Sequence, residues 1–394
     1  MQKKVFICLD KQFPRKNASA NYVEYLGKAI QDGNTNVYVI SISEKRSECG
    51  QWVNYQHMQY CNVYYDVAKP VDTLRTRLKV GLDIWNKIEQ QNIDEGDIII
   101  CYSDNFFLLK TIYKKSKLKG ARVVNCVTEW HIAKQYKYGY FDIFNYWYYC
   151  LGFYKGIGCS KNVISVSRKL EKHFQQKRCR SFVLPPLTDP YEFQYNKEKC
   201  DDKIRFIYSG QFGKKDSMWI MLSALAALKD SDRKQMEFHV TGCNRLKLTE
   251  IINELPEEKN KKIIDYIVWH EWMPYKELIN LYNQMHFLLI ARPENRVTQS
   301  NFPSKIPEMM GYGIIPVMNK VGDCPEYYLM DGEDSILFNL CNVKECSEAI
   351  SRAIALSSEQ RTYMQRCVRE KAENVFYYKK WSKHICKFLF DGGV

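Results

Sequence analysis

Short apolar runs rich in β-branched residues alternate with helix-length amphipathic segments along this chain, and the alternation happens twice. Val5–Leu9 reads as a buried strand, followed by a helix from about Ala20 to Gln31, a turn at Asp32-Gly33-Asn34 and a second strand at Val37–Ile42. Asp97–Cys101, Arg122–Val127 and Val163–Val166 are further short strands set apart by helical spacing. Strands that take turns with helices imply a parallel sheet covered on both faces, so the pattern predicts an α/β, doubly wound domain. Leu184-Pro185-Pro186-Leu187 breaks any regular element, and the polar, charged stretch Tyr191–Lys203 reads as an inter-domain connection. A second α/β series follows, with strands at Arg205–Ser209, Glu237–Thr241, Ile267–Trp269, Phe287–Ile290 and Ile315–Met318 and a helix at Met218–Leu228. Residues 1–190 and 191–369 are therefore expected as two domains, with 370–394 as a C-terminal helix packing back on the first. A length of 394 residues gives each domain enough chain to bury its own core.

Charge is distributed unevenly between the two series. The net charge is +13, and residues 1–190 hold 29 Lys or Arg against 17 Asp or Glu, whereas residues 191–394 hold 29 against 28. A one-sided positive field points to a polyanionic partner such as nucleic acid, an anionic membrane or a phosphorylated ligand, with a merely solvated lysine surface as the plain alternative. The 15 cysteines are scattered without a C-x-x-C pair, which reads as a reduced intracellular protein with no zinc site. No apolar run approaches the ~18 residues of a membrane span, and the start reads as a strand rather than a signal peptide. The loop after the first strand, Lys11–Ala20, lacks G-x-G-x-x-G, which argues against an NAD-type cofactor and a dinucleotide oxidoreductase. Asp10 ends that strand where ligands of open sheets gather, and Ser19 lies in the loop beyond it; both are candidate acceptor-side residues.

The segment Phe287–Leu337 carries the most chemistry. Asn301–Lys305 reads as a turn into a helix starting near Pro303 or Ser304, where unpaired backbone N–H groups and Lys305 suit a diphosphate. Glu308 follows one turn later on the face of Ser304, and a carboxylate there suits a ribose diol. Gly311 and Gly313 end the helix, and Pro316-Val317 enters the next strand.

These pieces resemble the C-terminal domain of retaining glycosyltransferases of family 4, which have the GT-B fold of two Rossmann-like domains facing across a cleft. The matching residues are Phe302-Pro303-Ser304-Lys305, Glu308, Gly313-Ile314-Ile315-Pro316-Val317 and Asp331-Gly332. Phe206–Asp216 resembles the family's first C-domain loop, Val163–Leu170 the segment closing the N-domain, and Val127-Thr128-Glu129-Trp130-His131 the N-domain loop facing the transferred sugar. Two positions depart from the pattern: Ser300 stands where the first Glu of E-x7-E belongs, and Gln211 where an Arg is usual.

The resemblance implies donor contacts from Gly210, Gln211, Lys215, Ser300, Ser304, Lys305 and Glu308, and catalytic contacts from Glu129, His131, Lys215 and Arg292. Of the adjacent Lys214 and Lys215, the second is preferred for the cleft. The resemblance further implies that neither a metal nor a cofactor is needed and that the donor is a UDP- or GDP-sugar; cations around a departing diphosphate would lower the barrier to a sugar cation. Asp230-Ser231-Asp232 fits a D-x-D metal motif of another glycosyltransferase fold but reads as a solvated loop. The aromatic run Tyr136–Tyr154 with flanking lysines suits a membrane interface or a lipid-linked acceptor, single-strand stacking, or ordinary core packing.

The leading expectation is a metal-independent hexosyltransferase at the cytoplasmic face of a bacterial membrane. It would act on a lipid-linked, oligosaccharide or polysaccharide acceptor in capsule, exopolysaccharide or lipopolysaccharide assembly, with the anionic membrane and not nucleic acid as its large partner. The alternative is a degenerate nucleotide-binding subunit that supports a partner enzyme, motivated by Ser300 and Gln211.

Overall fold

The computed structural model describes residues 3–391 apart from 15–16, 32–34, 66–69, 137–139, 194, 197–198, 200–201 and 212–214. The expected turn at Asp32-Gly33-Asn34 and the loop residues Phe212, Gly213 and Lys214 lie outside the described residues. The chain forms two compact units, Met1–Leu187 with Tyr378–Val394, and Thr188–Tyr377.

The first unit is built on eight strands: β1 (Lys4–Leu9), β2 (Asn36–Ser43), β3 (Val53–Tyr55), β4 (Met58–Tyr64), β5 (Ile98–Tyr102), β6 (Arg122–Val127), β7 (Asn162–Ser165) and β8 (Arg180–Val183). Their order is β3-β4-β2-β1-β5-β6-β7-β8, parallel except for the β3–β4 hairpin. Among the described residues the helices α1 (Ala18–Gln31), α2 (Pro70–Glu89), α3 (Phe106–Lys119), α4 (Tyr140–Leu151) and α5 (Arg168–Gln176) accompany them, together with the last helix of the chain. Val5 to Leu9 are all fully buried because β1 is central and covered on both faces, which is why its sequence is an unbroken apolar run. Val5 pairs with Val37 on one side and Ile98 on the other. The sheet order reverses at β1, between β2 and β5, so the loops leaving β1 and β5 meet at the carboxyl edge.

Strands β3, β4 and β8 escape the sequence reading. The β3–β4 turn places Gln56 and His57 at φ 45° and 70°, a conformation usually announced by Gly or Asn, and β4 interrupts its apolar residues with Gln59 and Asn62. The C-terminal segment also differs from a single helix over Glu370–Phe390. The chain turns through Ala372–Phe376, Tyr377 pairs with Thr188 in a bridge, and a separate helix, Tyr378–Phe390, lies on α1 with Ile385 and Leu389 fully buried.

Close packing in this unit depends on Gly152, in the turn that extends α4. A Cβ there would sit 1.7 Å from the carbonyl oxygen of Asp104, backbone that cannot step aside, and one on Gly156 would sit 2.8 Å from Leu109 of α3. Gly152→Ala should therefore lower stability by about 1–3 kcal/mol or more, read as a lower urea midpoint at unchanged slope. An unchanged midpoint would mean that the crossing has slack.

The second unit has six strands, all parallel: β9 (Ile204–Ser209), β10 (Met236–Thr241), β11 (Ile267–Trp269), β12 (Phe287–Ile290), β13 (Ile315–Asn319) and β14 (Ile336–Phe338), in the order β11-β10-β9-β12-β13-β14. Its helices are α6 (Met218–Ala227), α7 (Asp230–Arg233), α8 (Arg245–Asn253), α9 (Glu257–Ile263), α10 (Tyr275–Tyr282), α11 (Arg296–Ser300), α12 (Lys305–Gly311), α13 (Val343–Ala355) and α14 (Ser358–Lys371), and the last helix of the chain is α15 (Tyr378–Phe390). The order reverses at β9, between β10 and β12. The D-x-D segment is solvated as expected but forms a helical turn: the 79% exposed Asp230 carboxylate accepts from the buried Arg233 guanidinium at 2.9 Å, and Asp232 accepts from the Ser351 hydroxyl at 2.9 Å.

Candidate active site

At the carboxyl edge of the second unit, the ends of β9 and β12 carry a linked set of charges. Tyr208 donates its hydroxyl to Asp216 Oδ2 at 2.9 Å, and Asp216 Oδ1 accepts from Arg292 Nε at 3.2 Å. Arg292 Nη2 donates to Asn301 Oδ1 at 2.9 Å, and Asn319 pairs with the Arg292 backbone in both directions at 2.8 Å. Arg292, expected to face the diphosphate, is only 2 % exposed, and its Nη1 alone has no hydrogen-bond partner among the described residues. Its charge is already countered by Asp216, so it holds the Asn301 turn in place and offers a single donor beyond that.

Lys305, the first residue of α12, supplies the more available cation. A Cβ on Gly210 would come within 3.0 Å of the Lys305 ammonium, so the bare glycine leaves room for it. Burial pushes Lys305 down to about 8, against the opposing pull of Glu308, Asp216 and Cys243. Glu308 lies one turn along the same helix and is half-buried. Gly210, Lys305, Glu308 and the Asp216–Arg292 pair thus gather at the switch point of the sheet. Ser304 is half-buried at the start of α12 with no capping bond from its side chain, and Lys215 is half-buried in the turn beside Asp216. Gln211 is exposed, with its carbonyl accepting from Tyr208 at 3.4 Å. Ser300 departs from expectation: it is fully buried and its hydroxyl donates to the Val297 carbonyl at 3.1 Å, so the turn of α11 uses the group expected for the sugar. Asp331, matched to the acidic-Gly pair, accepts from Arg352 at 2.9 Å and from the Leu337 N–H at 2.7 Å in a tight turn.

The first unit gathers a second set at its own switch point. Asp10 follows β1 and accepts from the Ser103 hydroxyl at 2.7 Å, while Lys11 donates to Ser19 at 3.3 Å. Burial raises the Asp10 carboxyl, although Ser103 and Lys11 oppose it. Burial first, and then the Asp10 charge, push the Asp104 carboxyl up to about 7. Burial would lower the Lys11 ammonium, but Tyr102, Asp10, Glu129 and Asp104 together hold it above its usual value. After β6, His131 Nε2 lies 3.4 Å from Glu129 Oε2 and its Nδ1 2.9 Å from Gln135 Oε1, while the hydroxyl of Tyr149 accepts the His131 N–H at 3.0 Å. Asp10, Ser19, Glu129 and His131 are thus brought to one edge.

Sequence reasoning did not single out Asp104, Arg77, Asn145 or Tyr148. They line a cavity of about 390 Å3 with Asp10, Tyr136 and Tyr149. Arg77 donates to Asn145 at 2.8 Å and lies 4.7 Å from the Tyr148 ring centre, and Tyr148 donates to Asn105 at 2.7 Å. One signal was available: Ser103-Asp104-Asn105 leaves a buried strand next to the reversal point, as Asp10 does. Carboxylates beside tyrosine rings suit a polyhydroxylated ligand, since they accept from hydroxyls while the rings cover its apolar face. Among the described residues no group of three His, Cys, Asp or Glu is placed to hold a metal ion.

Comparison with solved structures finds this architecture repeatedly. A sucrose-phosphate synthase from Thermosynechococcus elongatus aligns with a TM-score of 0.76 at 12% identity, covering 98% of each chain. A trehalose-6-phosphate protein from E. coli bound with UDP-2-fluoro glucose aligns with a TM-score of 0.70 at 11% identity, over 99% of this chain and 100% of that one. The glycosyltransferase WaaG, involved in lipopolysaccharide biosynthesis, aligns with a TM-score of 0.67 at 14% identity, over 99% and 100%. The fold is that of the GT-B glycosyltransferases. Residues 203–355, which include the Lys305 cluster, match the family model described as glycosyl transferases group 1. Sequence over that stretch and fold over the whole chain therefore agree on a glycosyltransferase. No curated protein matches the chain.

Proposed function

We propose that the protein is a retaining, metal-independent glycosyltransferase that moves a hexose from a UDP- or GDP-sugar to a lipid-linked or polysaccharide acceptor. Its setting in this reading is bacterial surface polysaccharide assembly, as a peripheral protein on the inner face of the membrane. The observation that carries the proposal is the Lys305–Glu308 pair beside Gly210 and the Asp216–Arg292 link, within the stretch that matches the group 1 model. As the glycosidic bond breaks, negative charge grows on the leaving diphosphate, and a preplaced ammonium stabilises that state more than the ground state. Glu308 then suits the ribose, and the Asp10–Asp104 cavity suits the acceptor sugar. The UDP-2-fluoro glucose bound by the E. coli protein supports a nucleotide-sugar donor, and the involvement of WaaG in lipopolysaccharide biosynthesis supports a surface-glycan acceptor.

Thermal shifts with UDP, GDP, ADP and CMP should single out one nucleotide, and Glu308→Ala should lower kcat/KM for that donor by about 10–100-fold. Transfer at an undiminished rate by Glu308→Ala would remove this site assignment. The buried Ser300 hydroxyl and the exposed Gln211 favour a second reading, a nucleotide-binding subunit without turnover. Nucleotide binding with no transfer and no slow donor hydrolysis would support that reading, and detectable hydrolysis would count against it.

A further inference from the structure

Helix α4 buries one face and leaves the other bare. Tyr149 and the following Phe153 are 4 % and 0 % exposed, whereas Ile143, Phe144 and Trp147 are 55 %, 62 % and 64 % exposed. Leu151 and Tyr154 continue the exposed line at helical spacing, so a stripe of five large apolar side chains runs along the outside of the first unit. Helix α4 and its extension cross the start of α3 through Gly152 and Gly156, and Phe107 of α3 stacks on Tyr148 at 5.9 Å. The two helices therefore share a layer, and α3 turns Lys110, Lys114 and Lys117 to solvent on the line that begins at Phe107. At the other end of the stripe, the Lys177 ammonium lies 4.9 Å from the Tyr154 ring centre, next to the exposed Lys155. Residues 106–119 and 143–161 together hold seven lysines and no carboxylate.

We propose that this layer is a membrane-docking face on which Ile143, Phe144, Trp147 and Leu151 enter the interface of an anionic bilayer while the lysines of α3 and Lys155 engage its headgroups. An apolar stripe with aromatic members, edged by cations, is the pattern of a helix lying in the interface plane. A second copy of the chain fits less well, because a two-fold contact would set the same lysines against one another. Single-stranded nucleic acid fits less well too, because Ile143 and Leu151 offer no ring for a base to stack on. The proposal rests on the peripheral-membrane part of the function proposed above, and it does not depend on the donor chemistry.

Flotation of the full chain with phosphatidylglycerol–phosphatidylcholine vesicles should show binding that is lost on pure phosphatidylcholine and weakened by salt. Phe144→Ser with Trp147→Ser should weaken partitioning by about tenfold or more, since both side chains leave the interface. Lys114→Glu with Lys117→Glu should do the same by removing headgroup attraction. Both double variants alter exposed positions, so their circular dichroism and nucleotide thermal shift should match the parent. Vesicle binding unchanged in either variant overturns the proposal. A dimer dissolved by Trp147→Ser would assign the face to a second copy, and salt-dependent oligonucleotide binding lost with Trp147 would assign it to nucleic acid; each result also overturns it. A parent that binds vesicles but shows no nucleotide response would leave the docking face standing and remove the transferase reading.

Discussion

Lys305→Ala should lower kcat/KM for the nucleotide sugar by about 10²–10³-fold and weaken nucleoside diphosphate binding, with the fold intact. The lysine is the available cation of the cluster, since Asp216 already counters Arg292. Its ammonium is held at about 8 by burial, so it is charged at neutral pH and begins to lose its proton just above. Diphosphate affinity should therefore fall as pH rises from 8 to 9. Over that range binding should draw a proton onto the protein, visible by calorimetry in buffers of different ionisation enthalpy. In Lys305→Ala both the pH dependence and the proton uptake should vanish. Stability gives an independent check. The folded value lies below the ~10.4 of an unfolded lysine, so between those values the unfolded chain binds more protons and stability of the parent rises with pH. The alanine variant should lack that rise. Equal diphosphate affinity in parent and variant would sink the assignment.

Asp104→Asn should separate the acceptor side from the donor side. It is expected to cost about 10²-fold in kcat/KM for the acceptor while the donor KM stays put. The carboxyl is held at about 7 by burial and by Asp10, so in the parent its proton is lost near neutrality and an ionised Asp104 can accept from an acceptor hydroxyl. Acceptor kcat/KM should climb between pH 6 and 8 in the parent and be flat in the variant. The stability sign is opposite to that of Lys305. A folded value above the unfolded ~3.9 means that the folded chain binds more protons between the two, so the parent loses stability as pH rises through that window. Asp104→Asn should escape this loss and gain about 2–4 °C in Tm at pH 8. Lower stability together with a parallel fall in donor and acceptor parameters would make Asp104 a packing residue.

Particular residues show where sequence was legible. Arg122–Val127, Ile267–Trp269 and Phe287–Ile290 are strands with the bounds the pattern gives; Phe287–Ile290 is the plainest case, a central parallel strand buried on both faces and therefore apolar throughout, whereas Ile267–Trp269 is a half-buried edge strand. The β3–β4 hairpin was illegible because Gln56 and His57 adopt positive φ without a glycine to mark it. Asp10 and Lys305 were legible because each stands at a break between a recognisable loop and an element. Arg77, Asn145 and Asp104 were not, since each is an ordinary polar residue until the chain folds.

The order of apolar runs and breaks by itself determined the class of fold and the segments from which ligand-facing residues come, whereas strand order, and with it the reversal point of each sheet, was decided by pairing in the folded sheet. Tertiary structure decided which side chains within those segments are available. It turned Ser300 inward onto Val297 and tied Arg292 to Asp216, and it left Lys305 beside Gly210. It also chose Tyr149 and Phe153 for the core and Phe144 and Trp147 for the surface from one aromatic run. The physical reason is that burial and the apolar period are properties of a segment, readable along one dimension. Charge pairing, desolvation and exposure depend on neighbours contributed by elements far apart in the chain, and those neighbours exist only once the sheet has closed.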